Sequence, residues 1–214
     1  MNNNTKTIIF LSLGVLLAVL AISGATFASF RAFTSANGSN ISGVSYELNA
    51  SVAITPVRSG HLIPVKDNLI MTSLNGSYPC EDSRGYSLCS LYKVNLTNSG
   101  AKIDLNGYVL SNTGTTFTTN YLKYQLLTKS GSTYTSASDI NTINIANNSK
   151  NYLKLSNNNI NFSLNSGASI ERYLVIWLSD PGNVNQLDDV NKTYNGSLVF
   201  ESSNGGTVTA KFTS

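Results

Sequence analysis

The chain is 214 residues long, enough for one domain of the β-sandwich class or for two small ones. Only 12% of the residues are charged and the formal net charge is +3, too small and too scattered for a nucleic-acid-binding surface. Asn, Ser and Thr make the polar surface instead, a composition expected of a wall or extracellular protein.

Residues 1–28 begin with a short polar stretch carrying one cation, Lys6, followed by an apolar run over residues 8–27. This pattern predicts a hydrophobic export helix: a signal peptide, with a retained membrane anchor as the alternative. Small residues gather at its end. Ser23-Gly24-Ala25 would direct cleavage before Thr26, and Thr26-Phe27-Ala28 before Ser29. Ala25, Thr26, Phe27 and Ala28 are therefore the expected cleavage region, and an export signal peptidase and the membrane the expected partners. Under either alternative the rest of the chain is expected outside the cytoplasm, secreted or on the outer face of the membrane.

Residues 29–43 are rich in Gly, Ser and Asn and read as a flexible lead. Residues 44–214 are expected to form the folded domain. It starts with clean alternation: Val44, Tyr46, Leu48, Ala50, Val52 and Ile54 fall on one face, with Ser45, Glu47, Asn49, Ser51 and Ala53 on the other. That period predicts one half-buried strand, ended by Pro56. Short strands are expected over residues 62–65 and 69–72, around Pro64. Cys80 and Cys89 bracket eight residues, a spacing that suits a local disulfide clip outside the cell.

Further alternating segments follow. Tyr92, Val94 and Leu96 precede the turn formers Thr97-Asn98-Ser99-Gly100; Ile103, Leu105, Gly107 and Val109 come next, then Leu122, Tyr124 and Leu126. Residues 140–145, 152–155 and 160–164 are short β segments, and Val208, Ala210 and Phe212 a last strand. No stretch after the export segment has convincing helical periodicity. The chain is centred on Leu174-Val175-Ile176-Trp177-Leu178, which contains the single Trp and reads as a strand buried on both faces. It breaks at Asp180-Pro181-Gly182-Asn183 and resumes at Tyr194, Leu198 and Phe200, as if in a hairpin-like unit. Roughly ten short strands with regular turns predict an all-β, jelly-roll-like antiparallel sandwich.

Catalytic chemistry is sparse. His61 is the one histidine and cannot by itself supply a triad or a histidine-ligated zinc site. There is no Gly-rich phosphate loop and no nucleophile elbow. No cofactor and no enzymatic activity are expected. Asp180, Asn183, Asn185, Asp188 and Asp189 are oxygen ligands within one loop, a composition suited to calcium, but their spacing is not that of an EF-hand. The competing reading is a solvated connection whose Asp and Asn cap turns.

Two places resemble the TasA/camelysin family of exported bacterial proteins, known for biofilm-matrix fibres. Ala25-Thr26-Phe27-Ala28-Ser29-Phe30 looks like that family's processing region. Asp180-Pro181-Gly182-Asn183-Val184-Asn185-Gln186, with Tyr194-Asn195-Gly196-Ser197-Leu198-Val199-Phe200, looks like its late segment. Leu96-Thr97-Asn98-Ser99-Gly100 is a weaker match to an early strand-turn. The resemblance implies a jelly-roll-like sandwich, export, and self-assembly into fibres in which the freed amino-terminal segment of one subunit completes the sheet of the next. The polar lead makes Val44, Tyr46, Leu48, Ala50, Val52 and Ile54 the candidate donor strand. The first functional expectation is thus a structural surface or matrix protein assembling by strand addition. A monomeric or anchored adhesion module is the alternative, and a secreted hydrolase a distant third.

Overall fold

Alternating apolar residues become strands whose pairings with one another, among the described residues, are antiparallel. The computed structural model describes residues 41–45, 48–153, 161–189 and 191–214, with the main chain alone for residues 41–45, 161 and 187. The export segment, the cleavage region at Ala25, Thr26, Phe27 and Ala28, and Tyr46 of the candidate donor strand lie outside the described residues. Among the described residues no helix is long and apolar enough to cross a membrane.

The strands are β1 (Ile41–Ser45), β2 (Ala50–Arg58), β3 (Ser90–Asn98), β4 (Ile103–Ser111), β5 (Leu122–Ser130) and β6 (Thr133–Ser136). They continue as β7 (Asn141–Thr142), β8 (Lys150–Tyr152), β9 (Asn161–Leu164), β10 (Ser169–Leu178), β11 (Asn195–Ser202) and β12 (Thr207–Thr213). One sheet has the order β1-β2-β3-β10-β5-β6, with β7 also on β5. The other has the order β12-β11-β4-β8, with β9 also on β4. The two sheets pack face to face into the expected all-β sandwich. Leu96, Leu126, Leu174 and Ile176 from one sheet meet Leu105, Val109, Leu198 and Phe200 from the other, all buried in one core.

Strand β10 lies at the centre of the larger sheet. Leu174 pairs across to Tyr92 of β3 and to Leu126 of β5. Every residue from Leu174 to Leu178 is buried, as read from the sequence, and so is Tyr173 before them. The cause is a second apolar layer. Leu174, Ile176 and Leu178 point between the sheets, while Tyr173, Val175 and Trp177 enter a separate cluster on the outer face. That outer cluster is covered by helix α1 (Asp67–Leu74) and by the Cys80–Cys89 disulfide.

Helix α1 corrects the strand expected over residues 69–72. It spans two turns, too short for its own hydrogen bonds to stabilise it. Its buried residues, Ile70 and Leu74, are spaced i, i+4 and face the outer cluster. The expected strand over residues 62–65 reduces to one bridge between Val65 and Ser179. The hairpin-like unit of residues 174–200 is also corrected. Strand β10 pairs with β3 and β5, and β11 pairs with β12 and β4, so the connection between them crosses from one sheet to the other.

Candidate functional site

The outer face of β10 is organised by one carboxylate. Val65 bridges Ser179 in parallel, which places Asp67, the first residue of α1, beside the end of β10. Its Oδ1 accepts from Trp177 Nε1 at 2.9 Å and from Ser179 Oγ at 2.7 Å. Its Oδ2 accepts from Lys123 Nζ. Burial works against the charge of Asp67, but the bonds from Lys123, Ser179 and Trp177 outweigh it and hold its carboxyl below the usual range. At the other end of the helix, Asn75 receives Tyr134 N at 2.7 Å and donates to Tyr134 O at 3.1 Å, clamping α1 to the main chain of β6. Neither anchor was legible in the sequence. Asp67 and Trp177 are 110 positions apart, and no local pattern joins them.

The cysteines meet as the spacing predicted. Cys80 and Cys89 are bonded, with their Cα atoms 4.9 Å apart, and both are fully buried. Between them the chain makes a miniature hairpin. Asp82 Oδ1 accepts from the amides of Arg84 and Tyr86, and Gly85 takes the left-handed conformation at φ +86°. Tyr78 and Tyr86 are exposed around this clip. Arg58 at the end of β2 forms an ion pair with Glu81 at 3.0 Å. His61 is exposed in the adjoining loop.

The proposed calcium ligands do different work. Asp180 Oδ1 accepts from Gly182 N at 2.8 Å in a local turn. Asn183, Asn185 and Asp188 are exposed, whereas Asp189 is buried. The carboxylate of Asp189 receives Thr118 N at 3.2 Å and the Thr119 hydroxyl, holding the 118–119 loop against the crossover. Gln186 is buried and donates to Ser179 O at 2.8 Å, folding the crossover back onto the end of β10. No group of three or more His, Cys, Asp or Glu able to hold a metal ion occurs among the described residues.

The candidate donor strand is two strands. The alternation read as continuous from Val44 to Ile54 is interrupted by a turn: β1 ends at Ser45, β2 begins at Ala50, and the two pair as a hairpin with Ser45 opposite Ala50. The register sets Gly43, not Val44, opposite Val52. Strand β1 also begins inside the segment read as flexible lead. Asn49 permits the reversal by adopting φ +49°. Leu48, Ala50, Val52 and Ile54 are buried in the main core, as the alternation predicted, but as part of their own domain. Leu48 seats against Gly206 in the β11–β12 turn, where an added Cβ would come within 2.6 Å of Leu48 Cδ2. Strand β2 is an interior strand, paired with β1 on one side and β3 on the other. The edge strands at this side of the sandwich are β1 and β12, which run close to each other.

No protein-family profile matches the sequence, and no curated protein is similar to it. Among solved structures the chain is similar to the crystal structure of a FixG-related protein from Vibrio parahaemolyticus. The TM-score is 0.37 at 8% sequence identity, over 77% of this chain and 94% of that chain.

Proposed function

We propose that the protein is an exported, non-enzymatic structural subunit of a cell surface or extracellular matrix, assembling by β-strand addition. The carrying observation is the character of two sheet edges. Among the described residues β1 pairs only with β2, and β12 only with β11. The sequence of β1, Ile-Ser-Gly-Val-Ser, has no charge and no proline, and β12 has the single charge Lys211. Sheets that avoid edge-to-edge pairing place charges, prolines or bulges there. These edges have little of that protection, so their main-chain groups suit an added strand from a second copy. The buried Cys80–Cys89 bond supports export, because cytosolic reductants keep most thiols reduced.

The test is electron microscopy of the chain processed after Ala28, beside a chain shortened through Ser45. The shortening stops there because deleting β2 would remove Val52 and Ile54 from the core. Fibres from the processed chain, and monomers from the shortened one, are expected. A processed chain that stays monomeric across pH and salt overturns the reading.

A further inference from the structure

The smaller sheet has a polar cleft at one end, lined in part by Lys211, Phe212 and Thr213 of the β12 edge. It is an open depression of about 350 Å³ at the start of β11, a size suited to a small ligand. Beneath it lie Gly196 and Phe212, both buried and paired across β11 and β12. Its walls are Asn112, Thr113, Asn147, Asn148 and Asn195, with Lys211 at the rim.

The walls are held before any ligand arrives. Asn151 is buried behind them, and its Nδ2 lies within hydrogen-bond reach of Val109 O at 3.1 Å and of Asn144 O and Ser149 O at 3.3 Å. Its Oδ1 accepts from Asn144 N at 2.7 Å. The Ser111 hydroxyl donates to Asn144 O at 2.6 Å, and Asn148 N donates to Ser111 O at 2.8 Å. The loop carrying Asn147 and Asn148 is therefore tied at several points to the end of β4. On the opposite wall Asn112 Nδ2 donates to Ser197 Oγ at 2.8 Å, and Asn195 Oδ1 accepts from Thr213 Oγ1 at 3.0 Å.

These bonds leave a definite set of groups for a ligand. Asn112 retains its amide oxygen and Asn195 its amide nitrogen, while exposed Asn147 and Asn148 each offer one donor group and one acceptor group. That balance survives any exchange of amide oxygen and nitrogen in Asn147 and Asn148. No carboxylate lines the cleft, so a divalent cation lacks its preferred ligands. One lysine among several amide oxygens is a poor match for a phosphate. An apolar ligand would leave the amides unpaired. The complement is a neutral ligand whose own groups each donate and accept.

We propose that this cleft binds a neutral saccharide, its hydroxyls paired with the wall asparagines.

The experiment is an NMR titration of the ¹⁵N-labelled processed chain, in solution before assembly and by magic-angle spinning once fibres form, with chitotetraose, cellotetraose, maltotetraose and mannotetraose, and with inorganic phosphate as a separate arm. At least one saccharide is expected to shift the resonances of Asn147, Asn148 and Asn195 and to saturate. The double variant Thr113→Ala/Asn147→Ala removes side chains that make no bond needed by the fold, so its Tm is expected to be unchanged. Its affinity is expected to fall by about tenfold, the loss of one or two hydrogen bonds. No shift with any of the four saccharides overturns the proposal. So do shifts confined to another surface, an unaltered affinity in the double variant, or saturation by phosphate alone.

Discussion

Replacing Asp67 with alanine tests whether one carboxylate holds the outer layer to the sandwich. The substitution removes bonds to Trp177 Nε1, Ser179 Oγ and Lys123 Nζ. These are unequal in worth. The side chains of Lys123 and Asp67 are 26% and 32% exposed, so water recovers much of the ion pair, which is worth well under about 1 kcal/mol. Trp177 is fully buried, and its indole N–H would lose its acceptor, at a cost of about 1–3 kcal/mol. Losing the acid in the first turn of α1 adds about 0.5 kcal/mol. The sum is about 2–4 kcal/mol, or roughly 5–15 °C in Tm for a domain of this size. Asp67→Asn keeps an amide oxygen for the indole and should cost about 1 kcal/mol. Denaturant unfolding followed by the fluorescence of Trp177, the single tryptophan, measures both. A loss below about 1 kcal/mol for Asp67→Ala refutes the reasoning, as does an equal loss for the two variants.

Other outcomes follow from the same structure. Asp67 is held below its ordinary pKa of 3.8, so its contribution is present above that pH and fades as pH falls through the lower folded value; an acid titration of Asp67→Ala should be flatter than wild type there. Burial pushes the Tyr194 hydroxyl up from 10.0 to about 12, outweighing its bond with Ser111, so stability falls as pH rises across that window. Tyr194→Phe should flatten the alkaline limb of a Tm-versus-pH curve. Replacing both Cys80 and Cys89 with serine opens a nine-residue separation and should cost about 3 kcal/mol in denaturant unfolding, with sheet content by circular dichroism unchanged. Gly107→Ala places a Cβ within 2.8 Å of Phe162 and 2.9 Å of Leu153; overpacking there should cost about 1–3 kcal/mol, and a neutral result would mean the core yields more than its contacts suggest. Calcium or a chelator should leave Tm unchanged, since Asp180 and Asp189 already accept bonds within the chain; a calcium-dependent rise in Tm contradicts this.

Much of the fold was legible because a strand with one buried face carries a period of two in its own sequence. Ala50, Val52 and Ile54, then Val94 and Leu96, show it in the order in which they are buried. The disulfide was legible because two cysteines so close in sequence can reach each other through a local turn. The apolar run from Leu174 to Leu178 announced burial on both faces without showing what covers each. Periodicity does not record where a strand reverses. Val44 to Ile54 therefore read as one strand, although the turn before Ala50 makes it two.

Tertiary structure decided the rest, because the deciding partners lie far apart in sequence. Two turns of helix around Ile70 and Leu74 form only against the face of Trp177 and Leu91. The crossover from β10 to β11 goes to the other sheet, since β10 pairs with β3 and β5 and β11 with β4 and β12. The cleft of asparagines is assembled from the ends of β4, β11 and β12 and the loop before β8, no two of which are distinctive in an Asn-rich sequence. Sequence alone determined that the chain is a sandwich of alternating strands with a local clip. Only the packing of distant segments determined which of the described strands lie at the sheet edges, which carboxylate anchors the outer layer, and where amide groups gather around a cleft.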